Sequence, residues 1–241
     1  LPKEEFIDCL YDLFQTDDQT QTSFKDMLFA RFGRSIAEKF LIPYNEKLYA
    51  CELDTLDVNA MGRFFPYANR EEIIANFRNR NGNTSYNTTF IYPKGGAIEF
   101  VHSLCKRIDQ SRVMLQEELI SIDRNLRYAI TANRKIHYER LISTIPFPHL
   151  LEKLGIQYDR SVFTWNKVLV FNLGFDKKGL YRRNHWVYFP DKKLCFYRVG
   201  YYDNIFSDSR MSLYVELGFK SNEEIDQQAL LRQVLADLKI V

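Results

Sequence analysis

Residues 185–198, HWVYFPDKKLCFYR, constrain the fold of this chain more than any other stretch. Trp186, Tyr188, Phe196 and Tyr197 bracket the turn-forming run Pro190, Asp191, Lys192, Lys193, and Arg198 closes the second aromatic segment. Aromatic alternation on both sides of a polar turn predicts a β-hairpin with a wet tip. Period-two alternation puts Trp186 and Tyr188 on one face, and the returning strand can bring Arg198 beside them. Rings, a phenol and a guanidinium together suit a sugar phosphate, because the rings cover the apolar sugar face and the Arg fork grips phosphate oxygens. From these residues alone the plainer reading is the default: cross-strand aromatic packing with an exposed Arg.

Composition narrows the class. With 241 residues, 46% hydrophobic and 27% charged, the chain fits one large domain or two small ones of ordinary globular type. A net charge of +2 with no Lys/Arg stripe argues against nucleic acid as a partner. The unusual quantity is 15% aromatic content, which favours a cleft or a thick core. Cys9, Cys51, Cys105 and Cys195 are far apart with no CxxC pair, which predicts neither a zinc site nor a disulfide framework and points to a reducing, cytoplasmic setting. His102, His137, His149 and His185 lack metal-ligand spacing, so no metal is expected. No stretch has the length of a membrane span, and no membrane partner is expected. The chain opens on Leu1 in a segment already helical and stops at Val241 with an apolar period still running, which leads to the expectation of a piece excised from a longer protein.

In order, the spacing predicts helices over residues 4–15, 24–33 and 35–41, with Ser23 as an N-cap, and places a stop at Pro43, Tyr44 and Asn45. Residues 49–63 read as a loop and short helix, 65–80 as mixed, and 81–83 as a polar loop. Beyond that, residues 88–92 read as β-like, Pro93 to Gly96 as a turn, 97–108 as an amphipathic helix, 115–137 as a hairpin and 141–146, LISTIP, as a short buried strand. One or two helical turns follow at 147–154, then strands at 167–175 and 211–219 around the opening hairpin, and a closing helix over 223–240. Helices first, then mostly antiparallel strands, make the class α+β, with a helical subdomain at 1–83 and an α+β portion at 84–241.

Chemistry is sparse. No GxGxxG, P-loop, GxSxG or internal repeat is present. Gly95 and Gly96 before a helix let a ligand approach backbone N–H groups, although a plain turn has the same signature. Glu52, Asp54 and Asp57 read as a solvated acidic face, and His185 as a surface imidazole that could act as a base. No triad or carboxylate pair can be assembled, and the residues alone stop at a binding or substrate domain.

Three ordered stretches resemble the UDP-galactopyranose mutase family, its eukaryotic-type branch especially, within the flavin amine oxidase and protoporphyrinogen oxidase-like superfamily. They are FLIPYNEKLYACELDTLDVNAMGR from Phe40 to Arg63, similar to the family's PYN-x-K-x-W segment; NTTFIYPKGG from Asn87 to Gly96; and the opening hairpin, with its Trp-x-Tyr-Phe-Pro and Phe-Tyr-Arg elements. The order of elements matches from about Phe40 onward, and LISTIP resembles the superfamily's strand returning to the flavin domain.

The resemblance implies the substrate-binding part of a two-domain FAD enzyme that interconverts UDP-galactopyranose and UDP-galactofuranose. In that family reduced FAD is the nucleophile, its N5 forming an adduct at the anomeric carbon, and the protein supplies orientation and electrostatics. Carried onto matching positions, Arg63 and Arg198 become cationic clamps on the diphosphate and Tyr188 a donor to it. Phe40, Asn45 and Tyr49 line the uridine end, Asn87 and Trp186 the sugar and flavin side, and Gly95 and Gly96 the cofactor. Tyr49 stands where the family has Trp, so stacking survives with a smaller face. Neither the glycine-rich phosphate loop nor the segment completing the flavin site is encoded, so the chain alone is expected to hold no FAD, to be inactive and to self-associate through uncovered apolar surface. Two alternatives stay open: a flavin amine oxidase or protoporphyrinogen oxidase-like oxidoreductase with a non-nucleotide substrate, and a noncatalytic sugar-nucleotide or interaction module. The Arg63, Tyr188 and Arg198 set favours a diphosphate over an amine, which would want carboxylates or an aromatic cage.

Overall fold

In the computed structural model, residues 2–15, 20–62, 70–78, 89–206 and 209–241 are described. The fold is α+β. The chain divides into two compact units, Leu1–Ile91 with Asn166–Val241, and Tyr92–Trp165. This division differs from the expected break between residues 83 and 84, because the closing strands return to the helical segment.

In the first unit, α1 (Lys3–Phe14) packs on α2 (Phe24–Ile36). Ser23 and Asp26 form a capping box that opens α2, as the N-cap signal predicts. Gly33 takes φ 73° and kinks the helix where it meets α1. Phe24, Met27, Leu28, Phe32, Ile42 and Leu53 bury the apolar face between them.

The stop expected at Pro43 to Asn45 does not occur. A π-helical turn, Ala37–Leu41, leads directly into α3 (Ile42–Tyr49), with Ile42 N–H donating to the Ala37 carbonyl. Widening the helix by one residue and placing Pro43 in the first turn of α3 removes the need for the proline N–H. The segment is therefore helical through the whole PYN run. It is followed by a 3₁₀ turn at Leu53–Thr55 and, further on, by α4 (Arg70–Arg78).

The unit's sheet has the order β4-β7-β6-β5, all antiparallel: β4 (Asn166–Phe175), β5 (Trp186–Tyr188), β6 (Arg198–Tyr201) and β7 (Met211–Lys220). One face carries Val199, Leu213, Val215 and Leu217 into a core with Val234, Leu230 and Leu238 of the closing helix α7 (Gln227–Asp237) and its continuation. At roughly 25 cal/mol per Å², burying such side chains is the main term that holds α7 to the sheet. Gly218 of β7 sits under the Lys47 carbonyl, where a Cβ would collide, so α3 lies tight on the strand. Asn166 donates to the Leu48 carbonyl at 2.6 Å from the neighbouring strand.

The second unit contains α5 (Ile98–Cys105), a three-stranded antiparallel sheet of β1 (Leu119–Asp123), β2 (Tyr128–Thr131) and β3 (Lys135–His137), and α6 (Phe147–Lys153). Two expected strands are absent. Residues 89–92 and 141–146 form no ladder, and Ile142 is 91% exposed, so LISTIP is neither paired nor buried. An apolar run becomes a strand only where another strand offers its hydrogen-bonding edge, and none does so here.

Candidate functional site

The hairpin expected around Pro190 forms as β5 and β6, with Trp186 opposite Gly200 and Tyr188 opposite Arg198. On the far side of β6, Arg198 is opposite Glu216 and Gly200 opposite Tyr214. Two rungs therefore cross three strands on the face away from the core: Tyr188, Arg198, Glu216, and Trp186, Gly200, Tyr214.

Glu216 is the partner that local reading of the hairpin does not reveal. Its carboxylate accepts from Arg198 Nε at 2.9 Å and Nη2 at 2.5 Å, a two-point ion pair. Glu216 is buried, and the Tyr197 backbone N–H donates to its carbonyl at 3.0 Å. Burial opposes the charge on Arg198, but the Glu216 hydrogen bonds and charge outweigh it and hold the guanidinium firmly protonated. The Tyr197 phenol is pushed up by burial and then by Glu216. The missing side chain at Gly200 makes room for the Tyr214 ring, which would collide with any Cβ there and which also lies 5.8 Å from the Arg198 guanidinium carbon.

Helix α3 closes one side of this cluster. Tyr44 meets Tyr188 edge-on at 5.0 Å and Tyr197 at 6.1 Å, and stacks parallel to Phe40 at 5.7 Å. Burial, and secondarily Tyr188, raises the Tyr44 phenol, so it stays a neutral donor at physiological pH. Lys47, one turn later, donates to the carbonyls of Phe189 and Asp191 at 2.8 and 2.9 Å, tying α3 to the hairpin.

The expected site residues are therefore distributed. Tyr188 and Arg198 are neighbours, and Trp186 lies one rung along with Phe90 tilted against it at 6.0 Å, so with Tyr44 against Tyr188 all three motif stretches meet at the hairpin. Phe40 joins through Tyr44 and is 37% exposed. Asn45 is 1% exposed, donates to the Leu41 carbonyl, and leaves its Oδ1 without a hydrogen-bond partner. Tyr49 packs edge-on against Phe24 in the helical core. Arg63 and Asn87 lie outside the described residues. Residues missed from the sequence are Tyr44, Tyr214 and Glu216. An acid and an aromatic interleaved with Leu213, Val215 and Leu217 at period two was the available signal.

Gly95 and Gly96 belong to the second unit. Gly96, at φ 91°, donates its N–H to the Pro93 carbonyl, and no atom lies where its Cβ would be. The Glu99 side chain folds over Gly95. The Glu99 carboxylate beside this open backbone disfavours a phosphate there. Among the described residues no group of three His, Cys, Asp or Glu side chains converges as a metal site, and no helix is long and apolar enough to cross a membrane. A cavity of about 590 Å³ lies on the core side of the sheet, between Tyr181, Tyr201, Met211 and Leu238, and its lining is mainly apolar.

No known family's sequence profile matches the chain. Among solved structures, reduced UDP-galactopyranose mutase matches over 100% of this chain and 57% of its own length, at a TM-score of 0.82 and 20% identity. A Pyrococcus furiosus protein matches over 96% of this chain and 58% of its own, at a TM-score of 0.60 and 13% identity. The likeness is one of fold, and the chain spans less than two thirds of either structure.

Proposed function

We propose that this chain is the substrate-binding part of an FAD-dependent enzyme of the UDP-galactopyranose mutase kind, and that the Tyr188–Arg198 face of the four-stranded sheet holds the diphosphate of a UDP-sugar. The observation that carries this reading is the rung Tyr188, Arg198, Glu216. It is a half-exposed guanidinium at the centre of a sheet face, with its orientation set from one side and a phenol on the other. The fold likeness to reduced UDP-galactopyranose mutase supports it.

In this reading Arg198 binds phosphate oxygens with the N–H groups Glu216 leaves free, and Tyr188 donates from the next strand. Together with Arg63 they stabilise the charge that gathers on UDP as the glycosidic bond breaks. Trp186 and Asn87 flank the sugar, Phe40 offers its exposed ring to the uridine, and Asn45 and Tyr49 stand behind it. A flavin bound in reduced form would supply the nucleophile for the anomeric carbon, because the one carboxylate of the cluster, Glu216, is buried and engaged with Arg198.

The test is calorimetric titration of UDP and UDP-galactose into the longer parent protein, loaded with flavin and reduced with dithionite, wild type beside Arg198→Ala. The expected result is roughly micromolar UDP binding that the substitution weakens by about 2–5 kcal/mol. A wild-type protein that binds no UDP overturns the reading.

A further inference from the structure

We infer that Glu216 is a positioning residue for Arg198: it occupies the Nε/Nη2 side of the guanidinium and thereby leaves the Nη1/Nη2 end as a two-pronged fork for a phosphate group. The inference rests on the proposed diphosphate site. A guanidinium has five N–H donors in one plane. Glu216 takes the Nε proton and one Nη2 proton, at 2.9 and 2.5 Å. Both Nη1 protons and the second Nη2 proton remain, and one from each nitrogen makes the free fork at the Nη1/Nη2 end. The exposures agree with this division, because the Arg198 side chain is 34% accessible and that of Glu216 only 10%. A ligand can therefore reach the arginine but hardly the carboxylate.

The carboxylate is itself held in place. Glu216 sits on β7 between β4 and β6, opposite Val170 and Arg198, and its backbone carbonyl accepts from the Tyr197 N–H at 3.0 Å. Tyr44 and Tyr214 also face this cluster. A long, rotamer-rich side chain is thus presented with much of its ordering cost met before the ligand arrives. The ion pair has no net charge, so an anion would be bound here by directed hydrogen bonds more than by long-range attraction.

The experiment pairs UDP titration with ¹⁵N-edited NMR of the arginine side chains, on wild type and Glu216→Gln. Expected are separate, slowly exchanging Nη signals for Arg198 in the wild type. In the variant these signals collapse into one and UDP affinity falls at least tenfold, with the protein still folded. A carboxylate with only a structural role would lower the melting temperature and leave both readouts unchanged. A variant that binds UDP as tightly as wild type, or more tightly, overturns the inference, and so does freely rotating Arg198 in the wild type, which is informative even if the variant does not fold. A wild type that binds no UDP but keeps resolved Nη signals sinks the proposed function and leaves the Glu216 hold on Arg198 standing.

Discussion

Lys47 on α3 donates its ammonium to the carbonyl of Phe189, at the end of the hairpin strand that carries Tyr188, and to that of Asp191 two residues on. One side chain thus joins the helical segment to the hairpin across a large separation in sequence.

Burial lowers the Lys47 ammonium to about 8, against an ordinary value of 10.5. Between these values the unfolded chain carries a proton that the folded protein has released. The Lys47 contribution to stability therefore rises as pH goes from about 8 to 10.5, and it is smaller below 8, where the buried amine must be charged. Lys47→Met removes this dependence and both hydrogen bonds. The expected cost at neutral pH is about 1–3 kcal/mol. Urea midpoints of wild type and variant, compared from pH 7 to 10.5, check it: their gap should widen with pH.

At Gly200 a Cβ would run into the Tyr214 ring. Alanine would ordinarily be tolerated in a strand, so any large loss at this position measures that contact. Gly200→Ala should cost about 1–3 kcal/mol through overpacking. Adding Tyr214→Ala should recover part of it, with a coupling of about 0.5–3 kcal/mol in a double-mutant cycle read by chemical denaturation.

Cys195 and Cys105 should react very differently. Burial, and then the hydrogen bond to Asp237, pushes the Cys195 thiol up to about 12, whereas Cys105 is exposed on α5. The thiolate is the reactive form. Iodoacetamide at pH 8 should label Cys105 rapidly in the folded protein and Cys195 only after denaturation, as peptide mapping by mass spectrometry would report. Equal labelling of both in the folded state would contradict the buried environment of Cys195.

Much of the architecture was legible because its signals are local. The capping box at Ser23, the alternation in β4 and β7, and the turn at Pro190 each specify an element from a few adjacent residues. Pro43 misled because its usual effect, ending a helix, depends on the hydrogen bond it would break, and the π turn before it had already shifted that bond. LISTIP and residues 89–92 misled because strandness belongs to a pair of segments.

The candidate site divides in the same way. Sequence by itself determined that Trp186, Tyr188 and Arg198 could share one hairpin face, since period-two alternation and a tight turn leave little freedom. Tertiary structure alone decided that Arg198 would meet Glu216, that Gly200 would shelter under Tyr214 and that Tyr44 would close the side of the cluster. These pairings join segments that are separate in sequence, and their register is set by which faces of β7 and α3 bury apolar area. The hairpin's own residues carry no record of that choice.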